Sequence, residues 1–233
     1  MTGAPLISVL LPTRNRPGSL RVSVASLLDQ AAVPQDIEIL LAADPDDDTA
    51  RSAVSDGLPA RVWTAPERYG YEGLFRYYNH LATLAAGDWL MLWNDDARMI
   101  TRGWDDVIRR QERWGVLASR ANHCGDANLF PVFPRWWAEV TGHISLSPNV
   151  DVWIGEVGAM LGSCMRIPVE VFHDRFDVTG NHDDQTYREG RAVQAHLNFN
   201  HPDHDTPESL GLRMADARAI YDRQPWPLLR GPR

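Results

Sequence analysis

The sequence predicts an α/β protein with a doubly wound, mostly parallel sheet, helices on both of its faces, and an irregular second half. Through the first hundred residues, apolar strand-like runs alternate with helical segments, as in sheets built from right-handed crossovers. The first run, Leu6–Leu11, is apolar almost throughout, which is typical of a strand buried on both sides. Polar clusters follow three of them, where open α/β sheets bind their ligands.

The elements of the first half follow from apolar runs and helical spacing. Strands are predicted at Leu6–Leu11, Ile37–Ala42, Ala60–Thr64 and Trp89–Trp93. Helices are predicted after the cap residue Ser19, up to about Ser55, and over Gly73–Ala86 ahead of Gly87.

The second half is less regular. A helix is predicted at Trp104–Trp114, a strand at Val116–Ser119, a strand-like segment at Val150–Met165, a helix from Asp184 towards Val193, and a strand at Gln194–Phe199. The long aromatic stretch 122–148 has no clear period, which is typical of a loop that covers a functional site. We expect one domain with a first half at 1–100, a second half at 101–205 and a C-terminal tail at 206–233.

Composition excludes several classes of protein. The chain has 233 residues, 44% hydrophobic and 23% charged, and a formal net charge of −8. All 23 basic residues are Arg, which excludes Schiff-base chemistry and a P-loop lysine and disfavours a phosphate-coating surface. Two cysteines are too few for a disulfide scaffold. Because no apolar run approaches the ~18–20 residues of a membrane span, and no charged segment precedes the first one, we expect a soluble, cytoplasmic protein.

Three polar clusters stand at predicted strand ends: Thr13–Arg16, Asp44–Asp48 and Asn94–Asp96. Their position indicates a mononucleotide site, yet the first loop has neither a GxGxxG nor a Walker pattern. The phosphates therefore need another counter-charge. Asp95 and Asp96 could hold a hard divalent cation that bridges a diphosphate; the alternative is a solvated turn.

These clusters resemble motifs of the family 2 glycosyltransferases. Ile7–Arg16 resembles the opening strand and PTYNR-like loop of that family, and Asp44–Thr49 its acidic loop. Gly73–Asn79 with Ala86-Gly87-Asp88 resembles the helix before the central strand, and Asn94–Asp96 stands where the DxD metal motif belongs. The resemblance implies the GT-A fold, with 1–100 as the nucleotide-sugar-binding half and 101–205 as the half that supplies the acceptor site and the catalytic base.

The resemblance also implies roles for individual residues. Donor-binding roles fall on Pro12, Thr13, Arg16, Asp44, Asn79, Asn94 and Asp95. Asp96 would bind Mn²⁺ or Mg²⁺. This chain departs from the family in two places: the acidic loop is one residue short, and the metal motif begins with Asn instead of Asp, which leaves Asp96 as the direct ligand.

An inverting transferase also needs a carboxylate that accepts the proton of the acceptor hydroxyl. The family places it in an acidic pair that opens a helix, and His182–Arg188 resembles that segment. The resemblance implies Asp184 as the base with Asp183 beside it, and a shift of one residue would exchange them. The alternative is that both merely begin a helix, where acidic side chains suit the macrodipole.

Two further groups are candidates. His201 and His204 resemble the late histidine that some GT-A enzymes use as an additional metal ligand; the alternative is a pair of surface histidines. Trp136, Trp137 and Trp153 could stack on a sugar or an acceptor, and ordinary hydrophobic packing is the alternative.

The predicted function is metal-dependent, inverting transfer of a sugar from a nucleotide-diphospho-sugar to an acceptor hydroxyl. UDP-sugars are the commonest donors of the family, and the acceptor stays open between a saccharide, a protein and modified DNA. One alternative is nucleotidyl transfer to a sugar phosphate, for which Arg14 and Arg16 form a sparse basic loop. Another is a non-catalytic protein that binds a nucleotide or a carbohydrate.

Overall fold

A computed structural model of the chain describes residues 7–122, 128–181, 184–197 and 206–223. Within them, eight strands form one sheet: β1 (Ile7–Pro12), β2 (Ile37–Ala43), β3 (Arg61–Thr64), β4 (Trp89–Leu92), β5 (Ala97–Met99), β6 (Val116–Ala121), β7 (Val132–Pro134) and β8 (Cys164–His173). Their order across the sheet is β3-β2-β1-β4-β7-β6-β8-β5.

The sheet changes character at β4. Strands β3, β2, β1 and β4 are parallel neighbours. Beyond them, β7 pairs antiparallel with both β4 and β6, β6 and β8 are parallel, and β5 lies antiparallel on the outer side of β8. The predicted α/β fold class is confirmed, and each antiparallel pair includes at least one strand from the half that the sequence marks as irregular.

Nine helices accompany the sheet in the described residues: α1 (Pro17–Asp29), α2 (Thr49–Ser55), α3 (Leu74–Leu84), α4 (Trp104–Arg109), α5 (Arg135–Thr141), α6 (Val150–Met160), α7 (Phe176–Thr179), α8 (Gln185–Leu197) and α9 (Pro207–Arg223). The beginning of the predicted tail is thus helical. None of these helices has the length and apolarity required to cross a bilayer.

Two predicted strands are wrong. The strand-like segment Val150–Met165 is mostly helix α6, because its buried residues Val150, Ile154 and Val157 recur at i, i+4 and i+7 and face the core together. Packing of this face outweighs the strand preference of the β-branched side chains. The strand predicted at 194–199 is also wrong where the structure describes it, since α8 continues to Leu197.

The sheet has a hydrophobic core on each face. Along β1, the alternating residues Ile7, Val9 and Leu11 contribute to the core beneath α1, α2 and α4. Leu10 points to the opposite core, which contains buried side chains of α3, α5, α6 and α9. Because both faces are covered, the ends of the strands are the places left for a ligand.

The loops after β1, β2 and β4 open at the same sheet edge. In the parallel register, Pro12 is opposite Ala42, and Leu10 is opposite Leu92. The three polar clusters predicted from the sequence therefore lie side by side.

Candidate active site

Arg16 lies at the centre of the cluster formed by these loops. Its Nη1 donates to Asp95 Oδ1 at 3.0 Å and to Asp96 Oδ2 at 3.5 Å. On the other side of Asp95, the hydroxyl of Thr13 donates to Oδ2 at 2.7 Å. The loop after β1 thus holds the strand-end motif after β4 from two sides.

The same guanidinium also binds Asp184, directly before α8. Arg16 Nε is 2.5 Å from Asp184 Oδ2, and Nη2 is 3.0 Å from Oδ1, so the pair is bidentate. Asp184 also accepts the backbone N–H of Tyr187 at 2.8 Å, which is the hydrogen bond of an N-cap. The structure therefore brings the predicted base, 168 residues further along the chain, to the acidic motif.

Burial and charge act against each other in this cluster. Burial lowers the pKa of Arg16, but Asp184, Asp95 and Asp96 outweigh it, and the net effect raises the pKa above its usual value. Burial raises the pKa of Asp95, which Arg16 opposes and the neighbouring Asp96 reinforces. Arg16 therefore supplies the positive charge that offsets the repulsion between the neighbouring carboxylates.

His173 joins the site at the end of β8, and sequence reasoning missed it. Its Nε2 lies 3.0 Å from Asp96 Oδ1 and 3.3 Å from Asn94 Nδ2. Its backbone N–H donates to Asn122 Oδ1 at 2.7 Å, which fixes the strand end beside the motif. The imidazole is 6% exposed. No local motif marks this histidine; the available signal was its place at the end of a strand.

Asp96 and His173 have the chemistry of a divalent-cation site. A buried carboxylate next to an imidazole is a ligand pair that Mn²⁺ accepts. Within the described part of the chain, no three His, Cys, Asp or Glu side chains gather as a complete metal site. An ion that is held by only a few protein ligands has coordination positions left for substrate phosphates. The predicted ligands His201 and His204, and Asp183, lie outside the described residues.

A second pocket surrounds Asp44 at the end of β2. The carboxylate is 5% exposed and accepts Arg14 Nη1 at 2.7 Å and the hydroxyl of Tyr77, and Arg68 Nε lies 3.8 Å away. Arg14 also binds Asp46 bidentately at 2.7 and 2.9 Å. Hydrogen bonding to Arg14 lowers the pKa of Asp46 to about 2.

The remaining acidic residues of this loop have local structural partners. Asp47 accepts the backbone N–H groups of Asn15 and Thr49, both at 2.9 Å. Asn15 adopts φ 53°, in the left-handed region that Asn tolerates. Asp48 binds Arg51 at 2.5 Å. Asp47 therefore joins the loop after β1 to the loop after β2, and Asp48 makes a local ion pair with α2.

Some predicted donor-side residues have other roles in the structure. Asn79 binds the turn after α5: its Nδ2 donates to the carbonyl of Ser145 at 2.8 Å, and its Oδ1 accepts the N–H of Ile144 at 2.9 Å. It is committed to this turn. Pro12 is the last residue of β1 and shapes the exit towards Thr13.

The tryptophans predicted to stack on a sugar or acceptor are mostly buried. Trp137 is 4% exposed and Trp153 is 2% exposed. The indole N–H of Trp137 donates to the carbonyl oxygen of Trp114, and that of Trp153 donates to the carboxylate of Asp216 on α9. Contrary to the expectation, these two rings pack in the core and are almost completely buried. Trp136 is partly exposed, and its indole donates to the carbonyl of Arg113 at 2.9 Å.

Several solved structures share the fold of this chain. A mannosyltransferase from Pyrobaculum calidifontis, solved with GDP-Man and Mn²⁺, superposes with a TM-score of 0.65 at 15% identity, over 97% of this chain and 78% of that one. S. aureus TarS in complex with UDP superposes with a TM-score of 0.57 at 13% identity, over 88% of this chain and 74% of that one.

The fold is therefore that of the GT-A glycosyltransferases. The profile described as glycosyl transferase family 2 matches residues 8–154, and the chain belongs to that family.

A sequence relative is the O-antigen biosynthesis protein RfbC of Myxococcus xanthus, 25% identical over 202 residues. The match covers 77% of this chain but only 15% of that protein.

Proposed function

We propose that this chain is a metal-dependent, inverting glycosyltransferase that moves a sugar from a UDP-sugar to an acceptor hydroxyl. The observation that carries the proposal is the contact of Arg16 with Asp95, Asp96 and Asp184. Through it, the motif that would bind a sugar diphosphate and a carboxylate that can accept a proton share one site. Membership of the family supports glycosyl transfer as the reaction class.

Asp184 is the proposed general base. Its side chain is 34% exposed, so an acceptor hydroxyl can approach it, while the bidentate contact with Arg16 fixes the orientation of its carboxylate. A positioned carboxylate of this kind typically contributes about 10²–10⁴-fold to the rate. In an inverting reaction the hydroxyl attacks the anomeric carbon as Asp184 takes its proton, and the nucleoside diphosphate leaves.

Asp96 and His173 are the proposed protein ligands of Mn²⁺ or Mg²⁺. The bound ion would neutralise the diphosphate and stabilise it as a leaving group. His173 Nε2 lies 3.0 Å from the Asp96 carboxylate, so the two groups are close enough to hold one ion between them, and the 9% exposure of Asp96 limits water at this side of the pocket. The Mn²⁺ in the similar mannosyltransferase supports a divalent ion.

Uracil is the base that suits the pocket around Asp44. The edge of uracil presents an acceptor, a central N–H donor and a second acceptor. The carboxylate of Asp44 would accept the central N–H, and the guanidiniums of Arg14 and Arg68, which both lie next to its Oδ2, would donate to the two acceptors. Guanine presents two adjacent donors and would oppose one of them to an arginine. UDP bound to the similar TarS supports this choice.

A saccharide is the proposed acceptor class. The support is the name of the Myxococcus relative, an O-antigen biosynthesis protein.

The donor is tested by thermal unfolding with Mn²⁺ and a panel of UDP-, GDP- and dTDP-sugars. A bound donor at 100 times its Kd stabilises the fold by about 2.7 kcal/mol, and UDP-sugars should give the largest shift. A larger shift with GDP-sugars would overturn the uracil assignment. Release of pyrophosphate from a nucleoside triphosphate and a sugar phosphate would instead favour nucleotidyl transfer.

The reaction is tested with Asp184→Asn, which should lower turnover of the identified donor by about 10²–10⁴-fold and leave donor binding intact. His173→Asn should raise the Mn²⁺ concentration needed for half-maximal activity by at least about tenfold. The matched control is His143→Asn, because His143 also pairs with an aspartate, Asp216, but outside the site. Full transfer by Asp184→Asn would refute the assignment of the base.

A further inference from the structure

We propose that Arg68 is a positioning residue that couples occupancy of the Asp44 pocket to the placement of Asp184 through helix α8. The inference rests on the proposed function and adds a regulatory link within the same site. It assigns Arg68 and Glu189 a role in catalysis without contact with the reacting atoms.

Arg68 contacts both parts of the site with one guanidinium. It lies between β3 and α3 and is 35% exposed. Its Nε is 3.8 Å from Asp44 Oδ2, and its Nη2 donates to the carboxylate of Glu189 on α8. A nucleotide base that binds Asp44 therefore sets the position of the side chain that holds Glu189.

Helix α8 transmits this position to Asp184. Asp184 caps the helix through the N–H of Tyr187, and Glu189 lies in the same helix five residues later, a rise of about 7.5 Å. Gln185 supports Glu189 by donating to its Oε1 at 2.8 Å. Since a short helix moves as a unit, a shift at Glu189 changes the angle at which the Asp184 carboxylate meets the acceptor.

The segment around Arg68 has a second contact with α8 and a second link to the pocket. A β-carbon at Gly190 would come within 3.2 Å of the Tyr71 ring, so the two segments pack closely. The backbone N–H of Tyr69 donates to the hydroxyl of Tyr77 at 2.9 Å, and that hydroxyl donates to Asp44. Residues 68–71 therefore connect Asp44 to α8 by backbone as well as by side chain.

The most specific test is Glu189→Gln, which removes the negative charge of Glu189 on α8 and changes no residue of the donor pocket. We expect kcat to fall by about 10- to 100-fold, as misplacement of a reacting group does, while the Kd of UDP with Mn²⁺ changes less than about twofold. Arg68→Ala should lower kcat to a similar extent. If the two residues act as a unit, the double variant should be no slower than the slower single variant.

Hydrogen exchange separates coupling from a merely structural role. In the wild type, adding UDP with Mn²⁺ should slow amide exchange in α8. In Glu189→Gln, the same addition should not change the exchange rate of α8. Arg218→Ala is the matched control, because it removes an exposed arginine–aspartate pair on α9 and should alter neither kcat nor the exchange of α8.

Three outcomes are decisive. Unchanged kcat in Glu189→Gln, or equal slowing of α8 exchange in the variant and the wild type, would overturn the coupling. If Asp184→Asn abolishes transfer while Glu189→Gln is fully active, only the coupling fails and the proposed function stands. If Asp184→Asn retains full transfer, the proposed base itself is wrong.

Discussion

At the scale of single residues, the site depends on arginine in a way that lysine could not reproduce. The fork of Arg16 gives two hydrogen bonds to Asp184 while Nη1 reaches Asp95. A lysine ammonium has three donors but no planar fork, so it could not make the bidentate pair with Asp184 while also reaching Asp95. In a chain whose 23 basic residues are all arginine, the same device recurs in Arg14, which binds Asp44 and Asp46 together.

The Arg14–Asp46 pair predicts a pH dependence of stability. The pKa of Asp46 falls from 3.8 to about 2 in the folded chain, chiefly through its hydrogen bond to Arg14. Because the pKa of Asp46 is lower in the folded chain than in the unfolded chain, its pair with Arg14 stabilises the fold above pH 3.8. This stabilisation is lost as the pH falls towards 2. Asp46→Asn should therefore lower the melting temperature at pH 6, and its difference from the wild type should shrink at pH 3.

Asp29→Asn, at an exposed position of α1, is the control for this comparison. A difference between wild type and Asp46→Asn that stays constant from pH 6 to pH 3 would contradict the pairing.

Some residues of the candidate site could be predicted from the sequence, and others could not. Thr13, Arg16, Asp95 and Asp96 lie together as expected, because strand ends and family motifs both mark them, whereas Asp184 was marked by the family resemblance alone. His173 was missed, because it reaches Asp96 only through the pairing of β8 with its neighbours, which no local pattern encodes. The bracing role of Asp47 was missed because its partners are backbone N–H groups.

At the scale of elements, a buried carboxylate joins α4 to the segment after α1, in addition to the core packing of the helix. Asp105 is fully buried and accepts the backbone N–H groups of Ala32 and Val33 at 2.7 and 2.9 Å. It also binds Arg109, which is 7% exposed, at 3.0 Å. The side chain thus joins α4 to the chain segment after α1.

Asp105→Ala should lower the free energy of unfolding by about 3–5 kcal/mol, because it leaves a buried guanidinium with less compensation and two N–H groups without this acceptor. Denaturant titration measures the loss. Its neighbour Asp106 is 43% exposed, so Asp106→Ala should cost less than about 1 kcal/mol. Equal losses in the two variants would refute the proposed anchor.

Element prediction succeeds or fails with the environment of each segment. β1, β2 and β4 were predicted within two residues, because their apolar runs end at turn-forming or acidic residues. α6 was predicted as a strand because Val150, Val152, Ile154 and Val157 favour strands locally. Its helical conformation depends on burial of one face against β6 and α9, which a local window does not contain.

At the scale of the whole molecule, α9, the last helix that the structure describes, covers part of the core that also contains α3, α5 and α6. Asp216 on α9 accepts the indole N–H of Trp153 at 2.9 Å and contacts His143 Nε2 at 3.1 Å. These contacts join α9 to α6 and to the turn after α5. The carboxylate is 12% exposed, so its loss leaves an indole donor without this partner in a buried place.

Asp216→Ala should lower the free energy of unfolding by about 1–3 kcal/mol, and the thermal shift caused by UDP with Mn²⁺ should stay as in the wild type. Asp222→Ala, which alters a 53% exposed carboxylate on the same helix, should remain within about 0.5 kcal/mol of the wild type. A weaker nucleotide response in Asp216→Ala would show that α9 influences the donor pocket.

The contact between Arg16 and Asp184 also has a consequence for biogenesis. The two residues are 168 positions apart, so Arg16 and the first strands are synthesised long before the proposed base, Asp184. Closing so large a loop costs entropy that only the finished tertiary structure offsets. A chain that ends before Asp184 lacks the proposed base and should therefore be inactive, and recovery of transfer after refolding reports that the whole polypeptide has reached its native arrangement.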